Sequence, residues 1–304
     1  LKRIFNIANV MFIVALAVTF MPSKRAESAE YALYLAGVIV LIHAMAQGKR
    51  FMSSDEDKKQ SVCDVIAIIY ACIVFWEVIT SKLDRLEPLL FPGPGKVVFT
   101  FIQEIPYLLE GLLSSMKLLS AGYVLALVTA VPLALVIGWR RRLFRAVNPF
   151  TKVLGPIPPI VYIPYAIALL PTFTSASIFI IFIGAFWPIF INTLNGAFDI
   201  DKKYVDSAKV LNVDEKTMLF KIILPGIMPS IISGATIGLV LSFILLTAAE
   251  MIGASSGLGW YVKYFSDFAD YPKVVVGIIF IGMVVTGITY FSDKLEKRLL
   301  AWKN

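Results

Sequence analysis

Side chains able to carry chemistry are sparse in this sequence, and their spacing does not suit catalysis. The single histidine, His43, gives metal chemistry built on clustered imidazoles nothing to work with. Cys63 and Cys72 lie nine residues apart on one predicted helix. At 3.6 residues per turn they point to opposite faces, so a disulfide within that helix is excluded. Residues 93–96 read GPGK but are followed by Val97, and the phosphate-cradling pattern GxxxxGK[ST] is absent. What remains is a set of isolated charges beside apolar runs. Glu250 precedes the glycine-rich GASSGLG segment, where a carboxylate either caps the amides of Gly253–Gly259 or lines a pathway. Lys117 sits early in another apolar run; it either lowers the entry barrier for an anion or snorkels to the headgroups. The most informative stretch is the charged, amphipathic insert at residues 204–225, YVDSAKVLNVDEKTMLFKIILP.

The elements that must hold these residues are membrane helices. The chain is 58% hydrophobic with a mean hydropathy of +0.80. Its apolar runs repeatedly approach the ~20 residues a crossing needs. They are continuous rather than alternating, which excludes a β-barrel. Eight spans are expected, at 4–21, 31–46, 62–80, 112–138, 147–170, 176–197, 227–250 and 273–291, in an all-α polytopic membrane protein. The first run lacks a small-residue cleavage site and is followed by further spans, so no cleaved leader is expected. Pro156, Pro158, Pro159 and Pro164 should bend or break the fifth span.

Charge sets the orientation. With a cytoplasmic amino terminus, the inner segments 1–3, 47–61, 139–146, 198–226 and 292–304 carry 19 of the 28 Lys and Arg, and the outer ones carry six. Short basic loops stay cytoplasmic, so both termini and the 198–226 insert are expected there. The net charge of +7 is then an orientation signal, and no nucleic-acid partner is implied.

Within the insert, Tyr204, Val205, Ala208 and Leu211 form an apolar stripe at helical spacing. Asp199 and Asp201 stand at its start, where acids favour the helix dipole. Asn212 can adopt the left-handed turn that ends a helix, and a second segment, about 214–222, should stop before Pro225. A short helix with small Ala208 on its face fits a protein groove better than a headgroup layer. In the following span, Ser230, Gly234, Gly238 and Ser242 recur every four residues. Such a stripe packs helices tightly within the chain, meets a partner subunit or lines a pathway.

The insert resembles the EAA loop of ATP-binding-cassette (ABC) importer permeases: Glu-Ala-Ala, three residues, Gly, nine residues, Ile-x-Leu-Pro. Here Asp206, Ser207, Ala208, Asn212, Ile222, Leu224 and Pro225 stand at those positions, with Asp for Glu, Ser for the first Ala and Asn for Gly. The similarity runs from about residue 62 to the carboxyl end. It is nearest the nitrate, sulfonate, taurine and bicarbonate branch, through LFPGPGKVV at 90–98, WPIFINTLN at 187–195 and AEMIGASSGLGW at 249–260.

The resemblance implies a core of six spans in residues 62–304, preceded by a two-span addition with a cytoplasmic linker in residues 1–61. It implies a second permease subunit, cytoplasmic ATP-binding-cassette subunits that bind ATP and Mg, and an external substrate-binding protein. No cofactor is expected in this chain, which would lie in the cell membrane and would not itself hydrolyse ATP. Tyr204, Asp206, Ala208, Leu211 and Asn212 would meet the ATPase, and Leu224 and Pro225 would pass its motion onward. The pathway or subunit interface would draw on Ser230, Gly234, Gly238, Ser242, Glu250 and Lys117, for a small organic or inorganic anion. The alternative from another class is an ion-coupled secondary transporter, which would call for acids buried mid-membrane and repeated halves. No clear mid-span acid and no convincing repeat is visible.

Overall fold

A computed structural model describes residues 6–52 and 55–300. Residues 1–5, at the start of the first expected span, 53–54 in the first inner loop and 301–304 at the carboxyl end lie outside the described residues. Every element among the described residues is helical. In chain order the main ones are α1 (Ile7–Phe20), α2 (Ala32–Met52), α3 (Glu56–Glu77, prolonged by a π turn, Val78–Lys82) and α4 (Pro94–Trp139). Then come α5 (Arg141–Leu154), α6 (Ile163–Leu169), α7 (Phe173–Phe198), α8 (Lys202–Val210), α9 (Met228–Gly253), α10 (Leu258–Asp267) and α11 (Tyr271–Leu299).

Among the described residues, six helices are long and apolar enough to cross a membrane: α2, α3 with its π turn, α4, α7, α9 and α11. The fifth expected span is broken as its prolines require, with α5 and the 159–169 segment meeting at 79°. Pro159 opens a 3-10 turn before α6. Two expectations need amendment. The first apolar helix, α1, has 14 residues, short of the ~20 that a full crossing takes. The fourth span was expected from 112, but α4 begins at Pro94 and runs for 46 residues, about 69 Å at the usual rise. Proline at the first helical position starts it, because the amide it lacks would be unpaired there anyway.

The chain forms two compact units. One holds residues up to 108 with 262–279. In it α1, α2 and α3 share a core of Ala8, Ala15, Leu35, Ile39, Cys63, Ile66 and Tyr70, with Phe12 stacked on His43 at 4.0 Å. Arg25 fastens the α3–α4 connection by donating to Asp84 and to the Leu86 and Phe91 carbonyls, each at 2.9 Å. Lys82 donates to the Thr19 and Met21 carbonyls at the end of α1.

The second unit, residues 109–261 with 280 onward, carries the insert. Its central contact is between α7 and α9. A Cβ on Gly234 would come within 2.8 Å of the Pro188 carbonyl, and one on Gly238 within 3.1 Å of the Ala185 carbonyl. Ser242 Oγ donates to the Ile181 carbonyl at 3.1 Å. The small residues let two backbones approach where larger side chains would hold them apart.

Candidate functional site

The 198–226 insert is built by its acids. Asp199 closes α7, and Asp201 caps α8 by accepting from the Lys203 amide at 3.0 Å. About two turns beyond Tyr204 the chain reverses at Asn212, which lies at φ +52. There the Val213 amide donates back to the Ala208 carbonyl at 3.1 Å, closing a Schellman-type end. Asp214 caps the next turn through the Thr217 amide at 3.1 Å. Hydrogen bonds from Lys203 hold the Asp201 carboxyl below its ordinary range, and those from Thr217 do the same for Asp214.

The second segment differs from expectation. It does not stop before Pro225 but continues through a π turn, Met218–Ile223, into a short turn, Leu224–Gly226. Proline cannot donate to the carbonyl four residues back and its ring crowds that oxygen. Widening the preceding turn relieves the crowding, so the proline marks a change of helical register rather than an end.

The apolar stripe of the insert divides into two faces. Val205 and Ala208 are buried within the chain, and Ala208 is 3% exposed against Leu135, Ala197, Met218, Ile223, Ile227 and Ile231. Tyr204, Asp206, Leu211 and Asn212 are exposed, with Leu211 at 76%. Ala208 was expected on the docking surface; instead its small side chain seats α8 against its own bundle. Sequence reasoning omitted Val210, which at 82% exposure extends the outer face beside Leu211. Leu224 is half-buried and Pro225 exposed at the junction leading to α9. Arg140, between α4 and α5, pairs with Glu215 at 3.1 Å and ties the insert to that corner. A cleft of about 770 Å³ opens beside α8, lined by Trp139, Arg141, Phe198, Asp199, Asp201 and Asp206.

The stripe on α9 does not form an open surface. Gly234, Gly238 and Ser242 are buried against α7 of the same chain, and Ser230 lies under Gly196, where an added Cβ would come within 2.7 Å of it. These contacts supply close packing within the chain. Glu250 is likewise an anchor. Its carboxylate is 1% exposed and accepts from Ser115 Oγ on α4 at 2.6 Å and from the Gly259 amide at 2.8 Å. Ser115 Oγ in turn accepts from the Leu258 amide at 3.0 Å. Gly257 lies at φ +116, and a Cβ there would run into the Glu250 carboxylate. This loop therefore requires glycine twice over, for its backbone angle and for its space. Ser115 gave no sequence signal, since its partner is 135 residues away. Lys117, two positions on, is exposed on α4.

Comparison with known proteins agrees with this architecture. Residues 122–301 match the family described as binding-protein-dependent transport system inner membrane component. A putative ABC transporter permease of Methanocaldococcus jannaschii is 28% identical over 75% of this chain and 89% of its own length. The nitrate import permease NrtB of Synechococcus elongatus is 28% identical over 76% and 84%. The putative aliphatic sulfonates transport permease SsuC of Bacillus subtilis is 30% identical over 76% and 84%. Among solved structures, a chain of the inward-facing methionine ABC transporter MetNI shares the fold. Its TM-score is 0.56 at 18% identity, over 65% of this chain and 98% of that one. With 180 of its residues matched, crossing helices of the expected order and a capped, outward-facing insert between two of them, the chain belongs to the family of binding-protein-dependent transport system inner membrane components, the permease subunits of ABC importers.

Proposed function

We propose that this permease imports a small organic or inorganic anion, and that the exposed face of α8 receives the thrust of a cytoplasmic ATPase. Tyr204, Asp206, Leu211 and Asn212 form the receiving surface, with Val210 added. Leu224 and Pro225 carry the displacement into α9, while Val205 and Ala208 keep α8 from sliding on the bundle. The observation that carries the reading is this division of one short helix, with two large apolar side chains left in water beside two that are buried. An exposed apolar face at the end of a capped, anchored helix fits a groove in another protein.

In this reading two permease subunits, alike or different, join two ATPase subunits that bind ATP and Mg, and an external binding protein delivers the solute. Both termini and the insert are cytoplasmic, as the excess of Lys and Arg in those segments favours. Residues 1–61 precede the six-span core, residues 62–304, as an addition. Nitrate and aliphatic sulfonates, named for two relatives, are both anions. The sequence agrees: no Asp or Glu occurs between Glu110 and Asp199, a run that contains most of α4 and all of α7. Glu250 is engaged as an anchor, which leaves an anion little to be repelled by.

The test is Leu211→Arg. In proteoliposomes containing the full complex and binding protein, this variant should insert and assemble in the membrane yet lose at least about tenfold of its ATP-dependent uptake, the effect of ~1.4 kcal/mol at the contact. Uptake at the unmodified rate would remove α8 from the coupling path.

A further inference from the structure

Helix α5 carries three different faces. Phe144, Thr151 and, in part, Val147 turn inward, with the Phe144 ring stacked on Phe198 at 3.8 Å. At 100° per residue, Arg141, Arg145 and Lys152 fall together on a second face with Arg142 at its margin, and all four are exposed. The third face is apolar and also exposed: Phe150 and Val153 are 66% and 69% accessible, with Leu154 beside them. Among the described residues, none of Arg141, Arg142, Arg145 and Lys152 forms an ion pair; of the neighbouring cations only Arg140 has one, with Glu215. The sequence supplies no acid to α5 or to the chain on either side of it for dozens of residues, and of these cations Arg141 alone shares the cleft with the insert's Asp199, Asp201 and Asp206. A soluble-facing helix gains nothing from two large aliphatic and aromatic side chains in water, and a buried one would not carry four unpaired cations. Adjacent basic and apolar exposed faces fit a helix at a lipid boundary.

We propose that α5 binds anionic phospholipid of the bilayer. The guanidinium groups of Arg141, Arg142 and Arg145 engage the headgroup phosphates, and Phe150, Val153 and Leu154 lie against the acyl chains. Arginine suits the task because its planar fork donates two parallel hydrogen bonds to a phosphate. Lys152 can reach back along its own stem toward the same layer. A zwitterionic lipid offers the phosphate but adds a competing cation, so binding discriminates by net headgroup charge. This inference is independent of the transported solute and of the ATPase contact.

The experiment uses the full chain, purified and stripped of lipid, titrated with phosphatidylglycerol or phosphatidylcholine and read by native mass spectrometry. The wild type should bind phosphatidylglycerol in preference. Each basic residue near an anionic surface contributes about fivefold, so Arg141→Gln/Arg142→Gln/Arg145→Gln should lower that affinity on the order of a hundredfold. The corresponding triple lysine variant should keep most of it. If the triple glutamine variant fails to fold, Arg142→Gln alone should show about a fivefold loss. Equal retention of the two lipids, or unchanged phosphatidylglycerol affinity in the glutamine variants, overturns the proposal. So does loss of the ATPase subunit from the triple glutamine variant at unchanged lipid affinity, because the face would then be a protein dock. Equal competition by inorganic phosphate would reveal a simple anion site and likewise overturn it.

Discussion

Glu250 shows how one carboxylate can be committed entirely to structure. Its two acceptor bonds, with the Ser115 hydroxyl serving both it and the Leu258 amide, join α4, the end of α9 and the start of α10. Ser115→Ala leaves a buried amide and part of a buried carboxylate without partners, and should destabilise the protein by about 1–3 kcal/mol. Gly257→Ala should do more, because it combines an unfavourable backbone angle with a collision at Glu250. Thermal unfolding of the purified permease measures both, and a melting temperature for Gly257→Ala above that of Ser115→Ala would contradict the ranking. The caps of the insert respond to acid instead. Asp201 and Asp214 have lowered folded-state values, so their contribution is full at neutral pH and fades as pH falls through those values. Asp214→Asn keeps a capping oxygen without the charge, and should remove the acid response of amide exchange in residues 215–218 at pH below the ordinary aspartate range, where the wild-type cap loses its charge, once intrinsic rates are removed. A persisting acid response would place its origin elsewhere. The position of Glu250 beside a glycine-rich segment offered capping of its amides as one of two readings from type and spacing. Ser115 was not, because a hydroxyl in an apolar run has the same composition whether it faces lipid, a neighbour or a carboxylate.

Helices and their breaks were more legible than helix faces. The proline cluster at 156–164 announced a bend, and Asn212 announced the reversal, since both act through the local backbone. Which side of a stripe points inward depends instead on tertiary packing. In a membrane protein the lipid-facing and protein-facing sides are both apolar, so hydrophobicity does not separate them. The insert inherits the same ambiguity: Tyr204 and Ala208 belong to one stripe by spacing, yet one faces water and the other the bundle. Ala208→Arg should therefore act by unseating α8 rather than by blocking a partner. The expected result is lost uptake together with raised proteolytic susceptibility of the insert in the isolated permease; intact protection would contradict the buried placement. Gly238→Leu wedges α7 from α9 and should cost about 1–3 kcal/mol or more. The loss should appear in the isolated chain, because the contact is internal. A variant that melts like the wild type alone but fails to associate with its partner would put the stripe at a subunit interface.

For the molecule as a whole, composition and periodicity gave the class and the order of crossings, and a short charged insert gave the family. The two details that escaped, the 14-residue α1 and the 46-residue α4, share a cause. Hydropathy marks where a helix is greasy, not where it begins, so the amphipathic stretch after Pro94 read as connection although it continues the same rod. The clamping of α8 has a mechanical corollary. Ala208 packs among Met218, Ile223, Ile227 and Ile231, and Arg140 reaches Glu215 in an exposed ion pair, so α8 is held from two sides. If α8 receives the thrust of an ATPase as proposed, these contacts pass a displacement on toward the root of α9, and the glycine seam passes it to α7. In that role the segment would act as a crank, and softening its pivot should disable transport as surely as removing its handle.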